Sequence, residues 1–163
     1  MNVAPKEWAV VVEALTQGKQ DFLLRKGGIA EGKRGFELKH RRFLFVPTWE
    51  HQQQDWIRPA YQDLFQSLKP ADPDVLTIRL GAQSLDVRPA PTDIAELLQS
   101  QEHIWAEPYL RMHYEYHPDL PLYRVQVSVF TLPEPGLDPQ RPPLHGLPLL
   151  GRPLPRDRRL RRP

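Results

Sequence analysis

The chain has 163 residues, no cysteine, 40% hydrophobic and 26% charged positions, and a formal net charge of +2. That size and balance fit one globular domain and exclude a wholly disordered chain, a disulfide scaffold, thiolate metal sites and a Cys nucleophile. The total hides an asymmetry: residues 133–163 carry seven Arg against Glu134, Asp138 and Asp157, leaving the rest of the chain at −2 with no general attraction to phosphate.

The beginning of the chain has no basic segment followed by an apolar run, and no stretch approaches the roughly 20 apolar residues of a membrane span, so a cytoplasmic protein without a membrane partner is expected. Trp8, Val11, Val12 and Leu15 recur at helical spacing, with Pro5 suited to a first turn and Gly18 to a stop. Residues 6–16 are therefore predicted as an amphipathic helix, although the Val run also suits a strand. Asp21 to Arg25 is a short apolar strand closed by Lys26-Gly27-Gly28, whose paired glycines permit a tight turn. Phe43 to Val46 is a second strand, ended by Pro47.

Residues 50–67 are predicted helical, interrupted by Pro59, with Tyr61, Leu64, Phe65 and Leu68 on the apolar face. After Asp72-Pro73 a hairpin is predicted from Val75–Leu80 and Leu85–Arg88, turning at Gly81-Ala82-Gln83-Ser84. A helix starts near Thr92 or Asp93 as N-cap and continues through Leu98, and another covers residues 102–114. In the last strand, Leu122 to Phe130, Tyr123, Val125, Val127 and Val129 alternate with Arg124, Gln126 and Ser128, one face buried and one wet. Nine prolines and the Arg-rich end make residues 133–163 a disordered tail by composition, leaving residues 1–132 as the domain.

Four stretches carry a family resemblance: Lys6-Glu7-Trp8-Ala9-Val10-Val11-Val12-Glu13-Ala14-Leu15, Leu23-Leu24-Arg25-Lys26-Gly27-Gly28-Ile29, Phe45-Val46-Pro47-Thr48-Trp49-Glu50-His51-Gln52, and Pro121-Leu122-Tyr123. As a set they resemble the bacterial family catalogued as domain of unknown function 1802, which has no assigned activity. Some members are joined to an Mrr-type endonuclease domain, so the resemblance implies DNA-related work and a restriction-modification component as partner. The family's closing Gly-Cys-x-Ser-Trp-like strand is replaced here by Leu144-His145-Gly146-Leu147-Pro148 and Arg-Pro repeats, as a shifted reading frame would produce. Gly18-Lys19 followed by Arg25 also resembles part of the Gly-x-Lys-x-x-x-Glu-x-Arg pattern of ASCH domains, which implies a PUA-like pseudo-barrel engaging RNA or nucleotides.

Among candidate sites, Arg25-Lys26-Gly27-Gly28 is the leading one for an anion, because glycine N–H groups approach an anion closely while Arg and Lys neutralise it. A hairpin turn with solvated charges is the alternative. His51, beside Glu50 and eleven residues after His40, is the best general-base candidate. The competing reading, preferred here, makes Thr48 the cap of a helix whose dipole Glu50 complements, with His51 merely exposed.

Glu37-Leu38-Lys39 with Asp21 upstream matches half of a metal-dependent nuclease site. His103, His113 and His117 with Glu102, Glu107 and Glu115 raise a metal site, but structural or surface histidines are preferred. Trp49, Trp56 and Trp105 could stack on bases, yet large aromatics more often fill cores.

The expected fold is α+β, a small mixed or antiparallel sheet with packed helices, with a PUA-like pseudo-barrel as its closed form. The expected function is a non-enzymatic module that binds nucleic acid or a nucleotide through Arg25, Lys26, Gly27, Gly28, Thr48 and His51, with no cofactor and no metal. A metal-dependent nuclease or His-assisted hydrolase, and a protein-interaction or structural accessory domain, are the alternatives.

Overall fold

The computed structural model describes residues 4–27, 41–68 and 77–137, with side chains to Pro133. The elements in chain order are β1 (Lys6–Trp8), α1 (Ala9–Thr16), β2 (Phe22–Lys26), β3 (Arg42–Leu44), β4 (Val46–Thr48), two 3-10 turns (Gln54–Trp56 and Pro59–Tyr61), α2 (Gln62–Ser67), β5 (Thr77–Pro89), α3 (Ile94–Gln99), α4 (Glu107–Glu115) and β6 (Leu122–Leu137). The fold is α+β, as expected. Four strands form an antiparallel sheet in the order β2-β6-β5-β3, and β1 pairs with β4 in a separate parallel ribbon. Among the described residues β2 and β3 stand at opposite edges of the larger sheet, so these strands do not close into a barrel.

The core lies where α1 meets the sheet. Val10, Val11, Ala14 and Leu15 of α1 are buried, and Phe22, Leu23 and Leu24 are buried on both faces of β2, which is why that strand is a continuous apolar run. Aromatic rings extend the core towards α4: Trp105 stacks on Tyr109 with centroids 5.2 Å apart and meets Phe22 edge-on at 5.6 Å.

Several expectations need correction, each for a tertiary reason. Residues 6–8 are a strand and not a first helical turn, because Lys6, Glu7 and Trp8 pair with Val46, Pro47 and Thr48. The helix starts only at Ala9, where the Gln52 side chain accepts the Val10 N–H at 3.0 Å and supplies a cap from 42 residues away. The apolar run around Phe43 does not stop at Pro47. It splits between sheets, β3 pairing with β5 and β4 with β1, while the Phe45 N–H is donated to Leu80 O between them.

The predicted hairpin at 75–88 is one continuous strand. Gly81 is no turn: it sits opposite Phe130, and a Cβ there would lie 2.4 Å from the tip of that ring. Gly81→Ala is expected to cost about 2 kcal/mol of stability, read as a lower urea midpoint, and Phe130→Leu in the same background should recover much of it. An unchanged midpoint would show that the ring does not depend on a bare backbone at residue 81.

The segment 50–67 is two 3-10 turns and a short helix. Its backbone is drawn into a bridge with residues 104–106, through Arg58 N–H to Ile104 O and Ala106 N–H to Trp56 O, both at 2.8 Å. The same bridge holds residues 103–106 extended, so the predicted helix from 102 begins at Glu107. Asp93 caps α3 as expected, accepting the Ala95 N–H at 2.8 Å. β6 runs past Phe130 to Leu137, since Gly136 and Leu137 pair with Ile78 and Thr77 through backbone groups that need no side-chain pattern.

Candidate functional site

The parallel ribbon, the end of β2 and one face of α4 enclose a cleft of about 290 Å³, lined by Lys6, Glu7, Trp8, Arg25, Thr48, Glu50, His51, Tyr109, Met112 and His113. Each side chain arrives there for a local reason. Pairing of β1 with β4 sets Lys6–Trp8 beside Thr48. Thr48 Oγ1 accepts the Glu50 N–H at 3.2 Å, and His51 then adopts φ +61°. This left-handed residue reverses the chain, so Thr48 caps a turn and no helix begins there. Arg25 is the penultimate residue of β2, and Tyr109, Met112 and His113 share one face of α4 at i, i+3, i+4 spacing.

At the buried end of the cleft Glu7 Oε2 meets Arg25 Nη2 at 2.5 Å, the carboxylate almost fully covered and the guanidinium 28% exposed. Glu7 Oε1 accepts the Trp8 N–H at 3.0 Å. Burial lowers the Arg25 pKa, but Glu7 more than offsets this and holds the guanidinium above its usual range. Tyr109 shares a 2.7 Å hydrogen bond with His113 Nε2. Burial, with Glu7 adding to it, pushes the Tyr109 phenol well above its usual value, whereas burial and then the Arg25 and Lys26 charges hold His113 down to about 4. The imidazole is therefore a neutral hydrogen-bonding group at physiological pH, not a second cation.

Of the residues singled out in the sequence, Arg25, Thr48 and His51 meet around this cleft. Lys26 does not line it. Its ammonium lies 3.3 Å from Tyr114 O, where it caps the carboxyl end of α4 and complements the helix dipole. Gly27 donates its N–H to Pro121 O at 2.9 Å, so that donor is already used within the fold. Gly28 lies outside the described residues, as do Glu37, Lys39 and His40.

The Asp21 side chain is exposed, and its carbonyl accepts the Val127 N–H. His103 is a core residue, taking the Trp105 N–H on Nδ1 at 3.2 Å and approaching Leu97 O through Nε2 at 2.7 Å. Among the described residues no three His, Asp or Glu side chains gather as a metal site. Trp56 stacks on Trp8 at 5.2 Å and Trp105 is buried, so the tryptophan facing the cleft is Trp8.

The sequence reading missed Glu7, Trp8 and Tyr109 as cleft residues and weighed His113 only as a metal ligand. A signal did exist. An acidic residue next to Trp at the head of an apolar segment fits a helical face poorly. Moreover, all four stretches that carry the family resemblance converge here: β1 with α1, the end of β2, the turn ending in Gln52, and Pro121-Leu122-Tyr123, which pairs with Arg25 and Lys26 and takes the Gly27 N–H.

The family model described as domain of unknown function (DUF1802) matches residues 4–148. The chain belongs to the DUF1802 family. The match reaches past Leu132 and takes in Leu144–Pro148. No curated protein and no solved structure matches the chain. No helix among the described residues is long and apolar enough to cross a membrane. Membership in DUF1802 leaves the chemistry to be argued from the cleft.

Proposed function

We propose that the domain is a non-enzymatic recognition module whose cleft takes one nucleotide unit, free or within a nucleic-acid strand. The Glu7–Arg25 pair carries this reading. An ion pair taken out of water adds little net stability, so its place at the head of a cleft is better accounted for by what it presents. Glu7 fixes one edge of the guanidinium and leaves a partly exposed, oriented donor for a phosphate or a base edge. Lys6 adds a cation at the rim, and Trp8 with Met112 offers an apolar wall for a planar ring.

The volume falls at the small end of ligand clefts, which span roughly 300–1,000 Å³, and suits a single unit better than a duplex. Glu50 and Glu7 balance Lys6 and Arg25, so backbone charge is not the main source of affinity. The association with restriction endonucleases that the family resemblance implies favours DNA, with RNA as the alternative strand.

Tryptophan fluorescence during titration with mononucleotides and a short single-stranded oligonucleotide tests this. Wild-type protein should show saturable quenching. Arg25→Lys, which keeps a cation beside Glu7 but loses the planar fork, should bind at least about tenfold more weakly, close to 1.4 kcal/mol. Lys26→Gln should bind as the wild type does and lose only the α4 cap. Absence of saturable binding by the wild type, or loss in Lys26→Gln with Arg25→Lys unaffected, overturns the proposal.

A further inference from the structure

Strand β5 is longer than the strand beside it. β3 pairs only with Gly81, Ala82 and Gln83, and its last described link is the Ser84 N–H donated to Arg41 O at 2.7 Å. Beyond the irregularity at Leu85, residues 86–89 pair on one side with β6 and, among the described residues, with no strand on the other. Both faces of this arm are uncovered: Leu85 is 52% exposed and Val87 36%, and Asp86 and Arg88 lie even further out in solvent.

The pairing also fixes which backbone groups point outward. Ala90 donates its N–H to Leu122 O, so Arg88 and Asp86, two and four residues earlier, face β6 opposite Arg124 and Gln126. The N–H and C=O of Val87 therefore point away from β6, to the side where no strand stands among the described residues.

We infer that this edge pairs antiparallel with the same edge of a second copy of the chain about a twofold axis at Val87. In that register Val87 exchanges two backbone hydrogen bonds with its counterpart, and Asp86 of each copy stands directly opposite Arg88 of the other. Self-complementary charge is what selects a second copy over an unrelated strand. Within one chain Asp86 and Arg88 are only 4.0 Å partners on an exposed face, whereas pairing two copies sets four charges of alternating sign around the axis. Val87 of each copy meets on the other face. Pro89 has no N–H to extend the ladder, so the added pairing is short and the dimer weak, in the class of interfaces below about 1,200 Å².

Sedimentation velocity from about 5 to 500 µM tests the inference on the full chain. The wild type should shift from monomer towards dimer as concentration rises. Asp86→Arg and Arg88→Asp, each placing like charges opposite one another, should weaken association at least about tenfold, and the double swap Asp86→Arg/Arg88→Asp should restore it. A wild type that stays monomeric throughout, or a dimer indifferent to the single reversals, overturns the inference. Both side chains are well exposed, so circular dichroism should show the variants folded as the wild type is.

Discussion

Arg58→Met should lower the unfolding free energy by about 3 kcal/mol and shift the urea midpoint down by more than about 1 M. One half-buried guanidinium donates to Trp105 O at 2.9 Å, Ser100 O at 2.5 Å, and Leu97 O and Leu98 O at 3.1 Å. Leu97 and Leu98 sit in the last turn of α3 and Ser100 is its C-cap, so Arg58 supplies both the missing donors and the positive charge that a helix end calls for. The same side chain pins the residues leading into α4.

Burial lowers the pKa of both Arg58 and its neighbour His103. His103 reaches about 4, helped by the nearby Arg58 and Arg124 charges and opposed by Leu97 O, so the ring stays neutral and the guanidinium keeps the charge. Arg58→Lys should recover little, since one ammonium cannot reach carbonyls that diverge around a planar fork. A loss under about 0.5 kcal/mol for Arg58→Met would mean that water satisfies these carbonyls as well as Arg58 does.

The second large effect concerns the cleft. Arg25→Met leaves the Glu7 carboxylate covered and without its ion-pair partner, and should cost about 3 kcal/mol. Glu7→Leu should cost less, because the guanidinium it strands is partly exposed and can turn to water. The double change Glu7→Leu/Arg25→Met should lie within about 1 kcal/mol of the wild type, since an apolar pair beside Trp8 and Tyr109 carries no desolvation penalty. Urea unfolding of the three variants closes the cycle. Strict additivity would show that the two side chains do not depend on one another. A stable double variant also separates fold from recognition, as it should retain the cleft's walls and fail to bind.

What could be read from the sequence was what local pattern encodes. The apolar run of β2, the Asp93 cap and the alternation of Val125, Val127 and Val129 rest on neighbours a few residues away. The family signature was legible too, and its four stretches meet around the cleft.

The misses share a cause. Lys6–Trp8 looked helical because the 3.6-residue spacing of Trp8, Val11, Val12 and Leu15 is real, but a parallel partner some 40 residues later overrides it. Gly81 looked like a turn because an absent side chain reads the same whether it frees the backbone or makes room for a ring. Arg58 offered no pattern at all; its partners lie 39 to 47 residues away. Glu7 and Arg25 became a site only when three separate segments met, which no window along the chain contains.

The parallel ribbon is a short ladder of three residue pairs between β1 and β4, set apart from the four-stranded sheet. It carries Lys6, Glu7, Trp8 and Thr48, and the Gln52 cap that anchors α1 follows directly after it. When this ribbon frays, the cleft is dismantled in one event while the four-stranded sheet persists. Binding and local opening are therefore two ends of one equilibrium. A ligand seated between β1 and α4 would act as a clasp on the amino-terminal strand, and its occupancy would be felt first as slowed exchange of the amides between Lys6 and Val10.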